Sequence, residues 1–559
     1  MNASLADANG IPITPLRGTP PRMNWRLLVW AITSALAGFL FGFGTVVIAG
    51  AEQTIQGFGD LTAGAVSAPI TVVPAQPEPF RPQFHFSPER NWMNDPNGMV
   101  FYAGEWHLFY QYNPYGDKWG HMSWGHAVSR DLVHWEQLPL ALAEEDGIMI
   151  FSGSAVVDWK NTSGFGRNGK PPLIAIYTGH REGRQDQRIA FSNDRGRTWT
   201  KVPAPVLDLH MVDFRDPRVF WHEATSRWVM AVALPNEKKV NFYTSHDLKR
   251  WKYVSEFGPA GATRGQWECP DLFSLPIEGG GRTWVLIVNI NPGGPAGGSG
   301  TQYFTGRFDG RRFVADAGAR DIRWADYGPD FYAGVSWNDV PKSDGRRIWL
   351  GWMSNWLYGQ DVPTSPWRSS MTVPRELSLR RTPDGLRLVQ KPVGELKKLR
   401  MAPPLQFGGG RFAAAARWLA AHNDLPPLLD VEMRFTEVTG KAPFTVQLQT
   451  APGERTSIVI DPARNRLVLD RAHSGQGGFH SDFSAPHDAS LRVANGQVVL
   501  RFLLDASSIE VLAQGGETSV TELIFPTAGP RVLSITSDGA TPNVSAITIN
   551  ALTSARRSD

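Results

Sequence analysis

Three short motifs, far apart in the chain, each place one carboxyl group among aromatic, proline or glycine neighbours. They are WMNDPNG at 92–98, FRDP at 214–217 and WECPD at 267–271. Hydrolysis of a glycosidic bond needs one carboxylate that attacks or stabilises the anomeric carbon and a second carboxyl group that protonates the departing oxygen. Asp95 and Glu268 can fill these two roles, so the motifs predict the active site of a glycosidase.

Each motif has a structural explanation as well as a functional one. The turn-forming neighbours of Asp95 fit a bend that aims its side chain into a cavity, but they also fit an ordinary Asx turn. Arg215 beside Asp216 would keep that acid ionised, although most Arg–Asp neighbours are surface pairs. Apolar neighbours would exclude water from Glu268, which is also the setting of a buried structural glutamate. The functional interpretation therefore rests on the motifs occurring together.

The composition is that of an ordinary globular protein with room for more than one core, with 559 residues of which 42% are hydrophobic and 19% charged. A net charge of +3 without a run of Lys and Arg among aromatics argues against nucleic acid as a partner. The 21 tryptophans fit a sugar-binding protein, although most of them are expected in the core. The single cysteine, Cys269, excludes an intrachain disulfide.

Residues 27–50 form an apolar run that is long enough to cross about 30 Å of hydrocarbon as a helix. Three arginines precede this run within residues 1–26 and the next basic residue is Arg81, so the positive-inside bias puts 1–26 in the cytoplasm. We therefore predict a transmembrane anchor, a linker over 51–82 and an extracytoplasmic body, periplasmic or at the cell surface. The alternative is a signal segment that starts at Met23 and is cleaved near Ala49-Gly50-Ala51.

Part of this run, Gly38–Ile48, resembles the first transmembrane helix of sugar-porter transporters. It departs from that family at Gly44, where the family usually carries Asp. Alternating access needs repeated helix bundles around a midplane site, and the sequence contains one such span. Transport by this chain alone is therefore excluded, and the run is interpreted as a borrowed helix that serves for export.

From Phe84 to about residue 385, short aromatic and β-branched runs are broken by Gly, Asn, Asp and Pro, which predicts an almost all-β segment. Four related stretches recur there, at 129–135, 192–199, 245–251 and 308–313. Their aspartates lie 63, 53 and 62 residues apart, a period typical of propeller blades. About 300 residues at about 60 per blade predict a five-bladed β-propeller over 83–390, which would bring motifs from different blades to one end of a channel.

After about Pro392 the pattern changes to alternating strands, including 429–435, 457–460, 498–504 and 509–512. Period-two alternation with frequent turns predicts a two-sheet β-sandwich over 391–555. The stretch Phe412–Ala421 is expected to form a short helix or an irregular edge. No constellation of acids stands out in this domain, so we interpret it as a stabilising appendage, with sugar binding as the alternative.

Seven motifs occur in order in the chain: WMNDPNG, FYQYNP, FSGSAVV, FRDP, WECPD, DYGPDFYA, and GWMSNW followed by PTSPWRSSMTVPREL. Together they resemble glycoside hydrolase family 32, the β-fructofuranosidases, and within it the levanase and exo-inulinase branch. The resemblance runs from about Gln83 to the end and implies a five-bladed propeller followed by a β-sandwich. It also implies that Asp95 is the nucleophile, Glu268 the acid/base and Asp216 the stabiliser of the transition state.

The same resemblance implies a set of substrate-binding residues, each of which also has a structural alternative. Asn94, Gln111, Trp119, Phe151 and Ser152 match residues lining the subsite for the terminal fructose, Arg215 matches the partner in the Arg-Asp-Pro motif, and Asp326 and Trp356 match positions bordering the acid/base and leaving group. Cys269 follows the family pattern beside the acid, where its thiol could act on Glu268. The chemistry needs no metal or other cofactor, and none of the 13 histidines shows a ligand spacing.

The sequence as a whole predicts an all-β, retaining exo-β-fructosidase that acts on levan, inulin or sucrose outside the cytoplasm, with no evident protein partner. A fructosyltransferase would use the same residues, because only the acceptor differs. Outside the enzymes, the alternative is a catalytically silent fructan-binding protein on the same fold.

Overall fold

The computed structural model describes residues 78–318 and 321–556. These described residues belong to one compact unit. The predicted cytoplasmic tail, membrane segment and all but the last residues of the predicted linker lie outside the described residues. Among the residues that are described, no helix is long and apolar enough to cross a membrane.

Residues 91–392 form successive antiparallel sheets, five of them within the described chain. The first contains β1 (Asn91–Tyr102), β2 (Glu105–Tyr112), β3 (Ser123–Ser129) and β4 (Trp135–Leu142); the second β5 (Met149–Val157), β6 (Leu173–Arg181), β7 (Arg184–Ser192), β8 (Thr200–Lys201) and β9 (Leu207–Met211); the third β10 (Arg215–His222), β11 (Arg227–Leu234), β12 (Lys239–Ser245) and β13 (Lys252–Phe257); the fourth β14 (Gln266–Pro276), β15 (Arg282–Asn291), β16 (Gly300–Phe308) and β17 (Phe313–Ala315). The fifth contains β18 (Tyr332–Ser336), β19 (Ile348–Met353), β21 (Ser370–Met371), β22 (Arg375–Thr382) and β23 (Gly385–Pro392), while β20 (Trp367–Arg368) pairs in parallel with β1. Short 3-10 turns occupy Glu223–Thr225 and Gly394–Leu399.

The sheets are arranged as a closed ring, which is the propeller that the sequence predicts. The first strands β1, β5, β10, β14 and β18 each contact the next, and β18 contacts β1. A hydrophobic cluster fills the space between each pair of neighbouring sheets, including the pair formed by the first and the fifth. Burial of these apolar side chains between sheets is the main force that holds such a ring together.

The four recurrent stretches in the sequence are one structural feature, the turn between the third and fourth strands of a sheet. In each turn one aspartate accepts hydrogen bonds from two backbone N–H groups two to four residues later; these aspartates are Asp131, Asp194, Asp247 and Asp309. The carboxylate satisfies donors that the sharp turn leaves without a strand partner. The corresponding turn of the fifth sheet, between β22 and β23, has a different sequence, Thr382-Pro383-Asp384-Gly385.

A buried polar layer ties the five first strands together at the centre of the ring. The Asn338 amide donates to the carbonyls of Ala155 (2.8 Å) and Val219 (3.0 Å), on β5 and β10, and its backbone bonds to β1 at Met99 and Phe101. Arg218 donates to Asn338 Oδ1 at 2.8 Å and pairs with Asp271 of β14 at 2.8 Å. The Asp271 carboxylate also accepts two hydrogen bonds from Ser336 of β18.

The remaining strands form the two-sheet sandwich that the alternating pattern predicts. One sheet has the order β24-β35-β26-β31-β32-β33, with β25 paired to β35, and the other has the order β30-β29-β28-β27-β34. The strands are β24 (Leu405–Phe407), β25 (Gly410–Arg411), β26 (Leu429–Thr436), β27 (Phe444–Gln449), β28 (Arg455–Asp461), β29 (Arg466–His473), β30 (Pro486–Ser490), β31 (Val498–Leu504), β32 (Ser508–Ala513), β33 (Thr518–Leu523), β34 (Val532–Ser537) and β35 (Asn543–Ala551). Phe412–Ala420 forms a helix, α1, which settles the alternative left open by the sequence.

Charged groups of the sandwich are buried against the propeller. His85, just before β1, contacts Asp505 at 2.7 Å and Glu510 at 2.6 Å, and Glu510 also accepts from Arg375 of β22 at 2.9 Å. Burial alone would lower the pKa of His85, but its hydrogen bonds to Asp505 and Glu510 outweigh burial and raise the pKa to about 9. A protonated His85 therefore links the two domains at neutral pH.

Candidate active site

A cavity of about 360 Å³ at one end of the ring brings together most of the residues that the sequence singled out. It is lined by Asn94, Asp95, Gln111, Trp119, Phe151, Ser152, His180, Gln185, Asp213, Arg215, Asp216, Gln266, Glu268, Asn291 and Trp356. All three predicted acids and all the predicted binding residues except Asp326 are among them. We refer to this cavity as the acid pocket.

Irregular strand pairing aims the three acids into the acid pocket. The β1–β2 register shifts between Met93 and Pro96, on either side of Asp95. The β10–β11 register shifts just after Arg215, and the β14–β15 register shifts just after Glu268. A bulge turns a side chain away from the regular alternation and is frequent beside active sites. The Asp-Pro and Cys-Pro sequences at these positions suit such a break, because proline cannot donate to a ladder.

Asp95 is held by one carboxylate oxygen only. Its Oδ2 accepts from Ser152 Oγ at 3.1 Å and from Cys269 Sγ at 3.5 Å, whereas Oδ1 is buried without a hydrogen-bond partner among the described residues. Burial, and to a smaller extent the charge of Glu268, raises the pKa of Asp95 to about 6. Asp95 therefore ionises at a higher pH than an ordinary aspartate, and one of its oxygens has no hydrogen-bond donor among the described residues.

Asp216 lies in the left-handed region with φ +66° and is fixed by the chain around it. Its backbone N–H donates to Thr178 Oγ1 at 3.0 Å, and its Oδ2 accepts from the Cys269 backbone at 2.9 Å and from Cys269 Sγ at 3.5 Å. Burial raises the pKa of Asp216, Arg215 opposes the rise, and Glu268 and Asp95 add to it. Arg215 thus acts on this acid in the expected direction, against the effect of burial, and the expectation that it keeps Asp216 ionised stays a prediction.

The Cys269 thiol lies between Asp95 and Asp216. Burial, followed by the charges of Asp216 and Asp95, raises the pKa of the thiol well above its ordinary value. The thiol is therefore protonated and is within 3.5 Å of both aspartates. The expectation that it acts on Glu268 stays a prediction, and the two aspartates are partners that the sequence did not predict.

Glu268 is oriented by partners on two other strands. Its Oε1 accepts from Arg215, at 3.0 Å from Nε and 2.9 Å from Nη2, and its Oε2 accepts from the Tyr332 hydroxyl. Arg215 in turn donates to Asp213 at 2.5 Å and to Gln266 at 2.9 Å. Glu268 thus differs from Asp95 in that both of its oxygens have donors, so the two carboxyl groups are placed for different roles.

Aromatic rings form part of the wall of the acid pocket. The Phe151 ring stacks on the His180 ring at 4.3 Å with 5° between the planes, and Trp119 meets Phe151 edge-on at 6.1 Å. Trp119 is 39% exposed, so much of its indole is free at the mouth. Trp356 packs against Trp92 and Trp352. Flat rings of this kind suit the apolar C–H faces of a sugar.

Several residues that line the acid pocket or contact Glu268 were not predicted from the sequence. Asp213 and Gln266 immediately precede the FRDP and WECPD motifs, and Tyr332 lies within DYGPDFYA. Their positions in or beside these motifs could have indicated that they belong to the site. His180, Gln185 and Asn291 lie at strand ends with no distinctive neighbours. Only the folding of the second and fourth sheets brings them to the acid pocket.

Asp326 does not reach the acid pocket, contrary to the prediction. Its side chain is 1% exposed and its Oδ2 accepts from Ser519 at 2.6 Å, Thr521 at 2.7 Å and Arg375 at 3.2 Å. Ser519 and Thr521 belong to β33 of the sandwich. The Asp326 carboxylate is therefore hydrogen-bonded to the sandwich in the contact between the two domains.

No group of three or more His, Cys, Asp or Glu side chains that could hold a metal ion occurs among residues 78–318 and 321–556. The prediction that the chemistry needs neither a metal nor another cofactor remains a prediction.

The fold, a ring of sheets followed by a sandwich, and the paired carboxyl groups of the acid pocket are typical of a glycoside hydrolase. Comparison with known proteins agrees. Residues 85–392 match the Glycosyl hydrolases family 32 N-terminal domain and residues 420–551 match the Glycosyl hydrolases family 32 C terminal. The chain is 46% identical to a levanase of Bacillus subtilis, over 85% of this chain and 71% of that protein. It is 40% identical to an extracellular exo-inulinase of Aspergillus awamori, over 83% of this chain and 93% of that one.

Solved structures give the same result. The crystal structure of the exo-inulinase from Aspergillus awamori superposes with a TM-score of 0.79 at 38% identity, covering 86% of this chain and 99% of that one. A β-fructofuranosidase from Schwanniomyces occidentalis, complexed with fructosyl-erythritol, gives a TM-score of 0.75 at 33% identity, covering 85% and 98%. The chain belongs to glycosyl hydrolase family 32 and is a glycoside hydrolase.

Burial of an ionisable Asp95 predicts that Asp95→Asn stabilises the protein at neutral pH. The pKa of Asp95 is raised from 3.8 to about 6 in the folded protein. Ionisation of this group therefore lowers the free energy of unfolding as the pH rises above about 4, and the loss is complete above about pH 6. The gain in free energy of unfolding should be at most about 3 kcal/mol at pH 7 and should vanish near pH 4. Denaturant unfolding of both proteins at each pH measures it.

Asp131→Asn is the matched control with the opposite sign. Burial raises the pKa of Asp131, but hydrogen bonds from His134, Lys398 and Val133 outweigh burial and lower the pKa below its ordinary value. This substitution should therefore destabilise the protein at pH 7. A loss of stability in Asp95→Asn at pH 7 would contradict the inferred cost of ionising Asp95.

Proposed function

We propose that the protein is a retaining, exo-acting β-fructosidase that releases terminal β-D-fructofuranosyl units from levan, inulin or sucrose. The observation that carries the proposal is the enclosure of Asp95, Asp216 and Glu268 in one pocket, with Asp95 and Glu268 held in different ways. The names of the relatives support the substrate class, since they include a levanase, exo-inulinases and a structure with bound fructosyl-erythritol. The proposal includes five propeller blades and domain limits of 83–390 and 391–555.

In this proposal Asp95 is the nucleophile. Because Ser152 and Cys269 hold Oδ2, the unpaired Oδ1 is the oxygen that forms a bond to the anomeric carbon. Glu268 gives its proton to the leaving oxygen as the glycosidic bond breaks, and then takes a proton from the water that releases fructose from Asp95. Arg215 and Tyr332 fix the direction of the Glu268 carboxyl group during both steps.

Asp216 is the proposed stabiliser of the transition state. Burial raises the pKa of Asp216 and Arg215 opposes the rise, so hydroxyl donors of a bound sugar would further favour its ionised form. The remaining lining groups would then recognise the terminal fructose. These groups are Asn94, Gln111, Trp119, Phe151, Ser152, Arg215 and Trp356.

Asp95→Asn and Glu268→Gln should each lower kcat on sucrose and levan by at least about a thousandfold, because each removes a group that the chemistry uses directly. Glu268→Gln should lose much less on a fructoside whose leaving group departs without a proton. Circular dichroism would establish that both variants are folded. Near-normal hydrolysis of sucrose by Asp95→Asn would refute the assignment.

Levan and inulin should release free fructose from the earliest time points. The acid pocket is small, at about 360 Å³, and has walls from several sheets, so it suits a chain end better than the middle of a polymer. Chromatography of early products from levan, inulin and sucrose measures this. A ladder of oligosaccharides with little free fructose would mean endo cleavage, and larger products formed from sucrose would favour the fructosyltransferase alternative. Absence of any turnover with retained fructan binding would favour the silent binding protein.

We further propose that the catalytic body lies outside the cytoplasm, either anchored by residues 27–50 or released by cleavage. The charge asymmetry around that run supports this orientation, and the similar exo-inulinases are described as extracellular. Spheroplasts of cells expressing the full chain should lose the enzyme to added protease. Activity in the soluble cytoplasm would contradict export, whereas a shorter soluble form beginning near Glu52 would favour cleavage over the anchor.

A further inference from the structure

A second and larger cavity, of about 710 Å³, lies at the other end of the ring. The first strands of the sheets begin at the acid pocket and finish here, as β1 does at Phe101 and Tyr102 and β10 at Phe220 and Trp221. Parts of all five sheets contribute to its lining. We refer to it as the distal cavity. Asn338 and Arg218 of the polar layer line this cavity and not the acid pocket, and the two linings share no residue, so the cavities are separate sites.

An exposed tryptophan is held rigidly at the distal cavity. Trp159 is 60% exposed, and its indole Nε1 donates to Asp339 Oδ1 at 2.9 Å. The other oxygen of Asp339 accepts from the Val157 backbone at 2.9 Å, and Asp339 itself has φ +56°. Tyr102 meets the Trp159 ring edge-on at 5.8 Å. Exposing an indole to water is unfavourable, and a fixed, exposed ring is a typical platform for the face of a sugar.

The distal cavity also offers hydrogen-bond donors that are not committed to carboxylates. Lys160 and Lys342 line it without an ion pair among the described residues, and Lys160 Nζ lies 4.6 Å from the centre of the Trp221 ring. Arg282 and Arg347 also line it, but they already donate to the carbonyls of Ser274 and Trp337. Glu223 and Asp339 supply carboxylate acceptors in the same lining, beside the hydrogen bonds they accept from Trp221 and Trp159. Aromatic surface combined with convergent donors and acceptors in a cavity of several hundred cubic ångströms is the usual composition of a ligand site.

We infer that the distal cavity is a second, non-catalytic carbohydrate-binding site, which holds part of a fructan chain on Trp159 while the acid pocket cuts a chain end. The choice of fructan as the ligand rests on the proposed function. A site of this kind raises the local concentration of polymer without changing the chemistry. Substitutions there should therefore affect polymers and leave sucrose hydrolysis unchanged.

Affinity electrophoresis tests this inference directly. The full chain carrying Glu268→Gln, which cannot consume the polymer, is run through gels containing levan or inulin, with free fructose added to fill the acid pocket. Adding Trp159→Ala should weaken the apparent affinity for the polymer by at least about fivefold, the effect of losing one aromatic contact. Lys342→Ala, a change of an exposed side chain, should weaken it by about twofold. Tyr253→Ala removes an aromatic ring of 49% exposure on β13, away from the cavity lining, and should have no effect.

Kinetics separate failure of this inference from failure of the proposed function. In the otherwise unaltered enzyme, Trp159→Ala should leave kcat/KM on sucrose unchanged and raise KM on levan or inulin about fivefold. If sucrose is hydrolysed but Trp159→Ala and Lys342→Ala both migrate like the parent protein, the distal site is refuted and the proposed function stands. If retardation depends on Trp159 but no fructoside is hydrolysed, the proposed function fails and the binding site stands. Equal retardation in a dextran gel would refute a fructan site.

Discussion

The buried polar layer around Asn338 is the constraint on which the rest of the propeller depends. One side-chain amide and one ion pair, Arg218–Asp271, connect the first strands of five sheets that are separated by up to about 240 residues of sequence. In a buried environment each of these polar groups costs about 1 to 3 kcal/mol if it loses its partner, so the layer favours the observed arrangement of the strands. The same strands carry the catalytic candidates at one end and the distal cavity at the other. Their mutual position is therefore fixed by a structural interaction that takes no part in the chemistry.

Gathering carboxyl groups in the acid pocket acts against stability. Asp95 and Asp216 are buried beside each other and beside Glu268, and desolvation together with like charge raises the pKa of both aspartates. A protonated thiol between them and a hydroxyl from Ser152 compensate only in part. Bulges and a positive φ at Asp216 are further local departures from a regular sheet. Perturbed acids on strained backbone are characteristic of sites selected for chemistry, and the surrounding hydrophobic clusters stabilise the fold against them.

The sandwich contributes to the propeller through buried charge rather than through the acid pocket. Its Asp505 and Glu510 hold His85 at the entrance to β1, while Ser519 and Thr521 of β33 hold Asp326. A buried ion pair is costly to break because removing one partner leaves the other charge unpaired. The domain contact is therefore specific, and it stabilises the segment that leads into the strand bearing Asp95. This supports the interpretation of the sandwich as a stabilising domain.

The sequence by itself determined the class of fold and the succession of propeller and sandwich, and it predicted the three acids that share the acid pocket, because each depends on local patterns. Alternation predicts strands such as Val498–Leu504, and the Asp residues of the recurrent turns bond to their own neighbours, so their spacing reveals the sheets. Only the tertiary structure decided which side chains face each other across the ring. His180, Gln185 and Asn291 lie in the acid pocket, Asp326 lies in the contact between domains, and the Cys269 thiol lies within 3.5 Å of two aspartates. These outcomes depend on contacts between residues 50 to 200 positions apart, which no local pattern encodes.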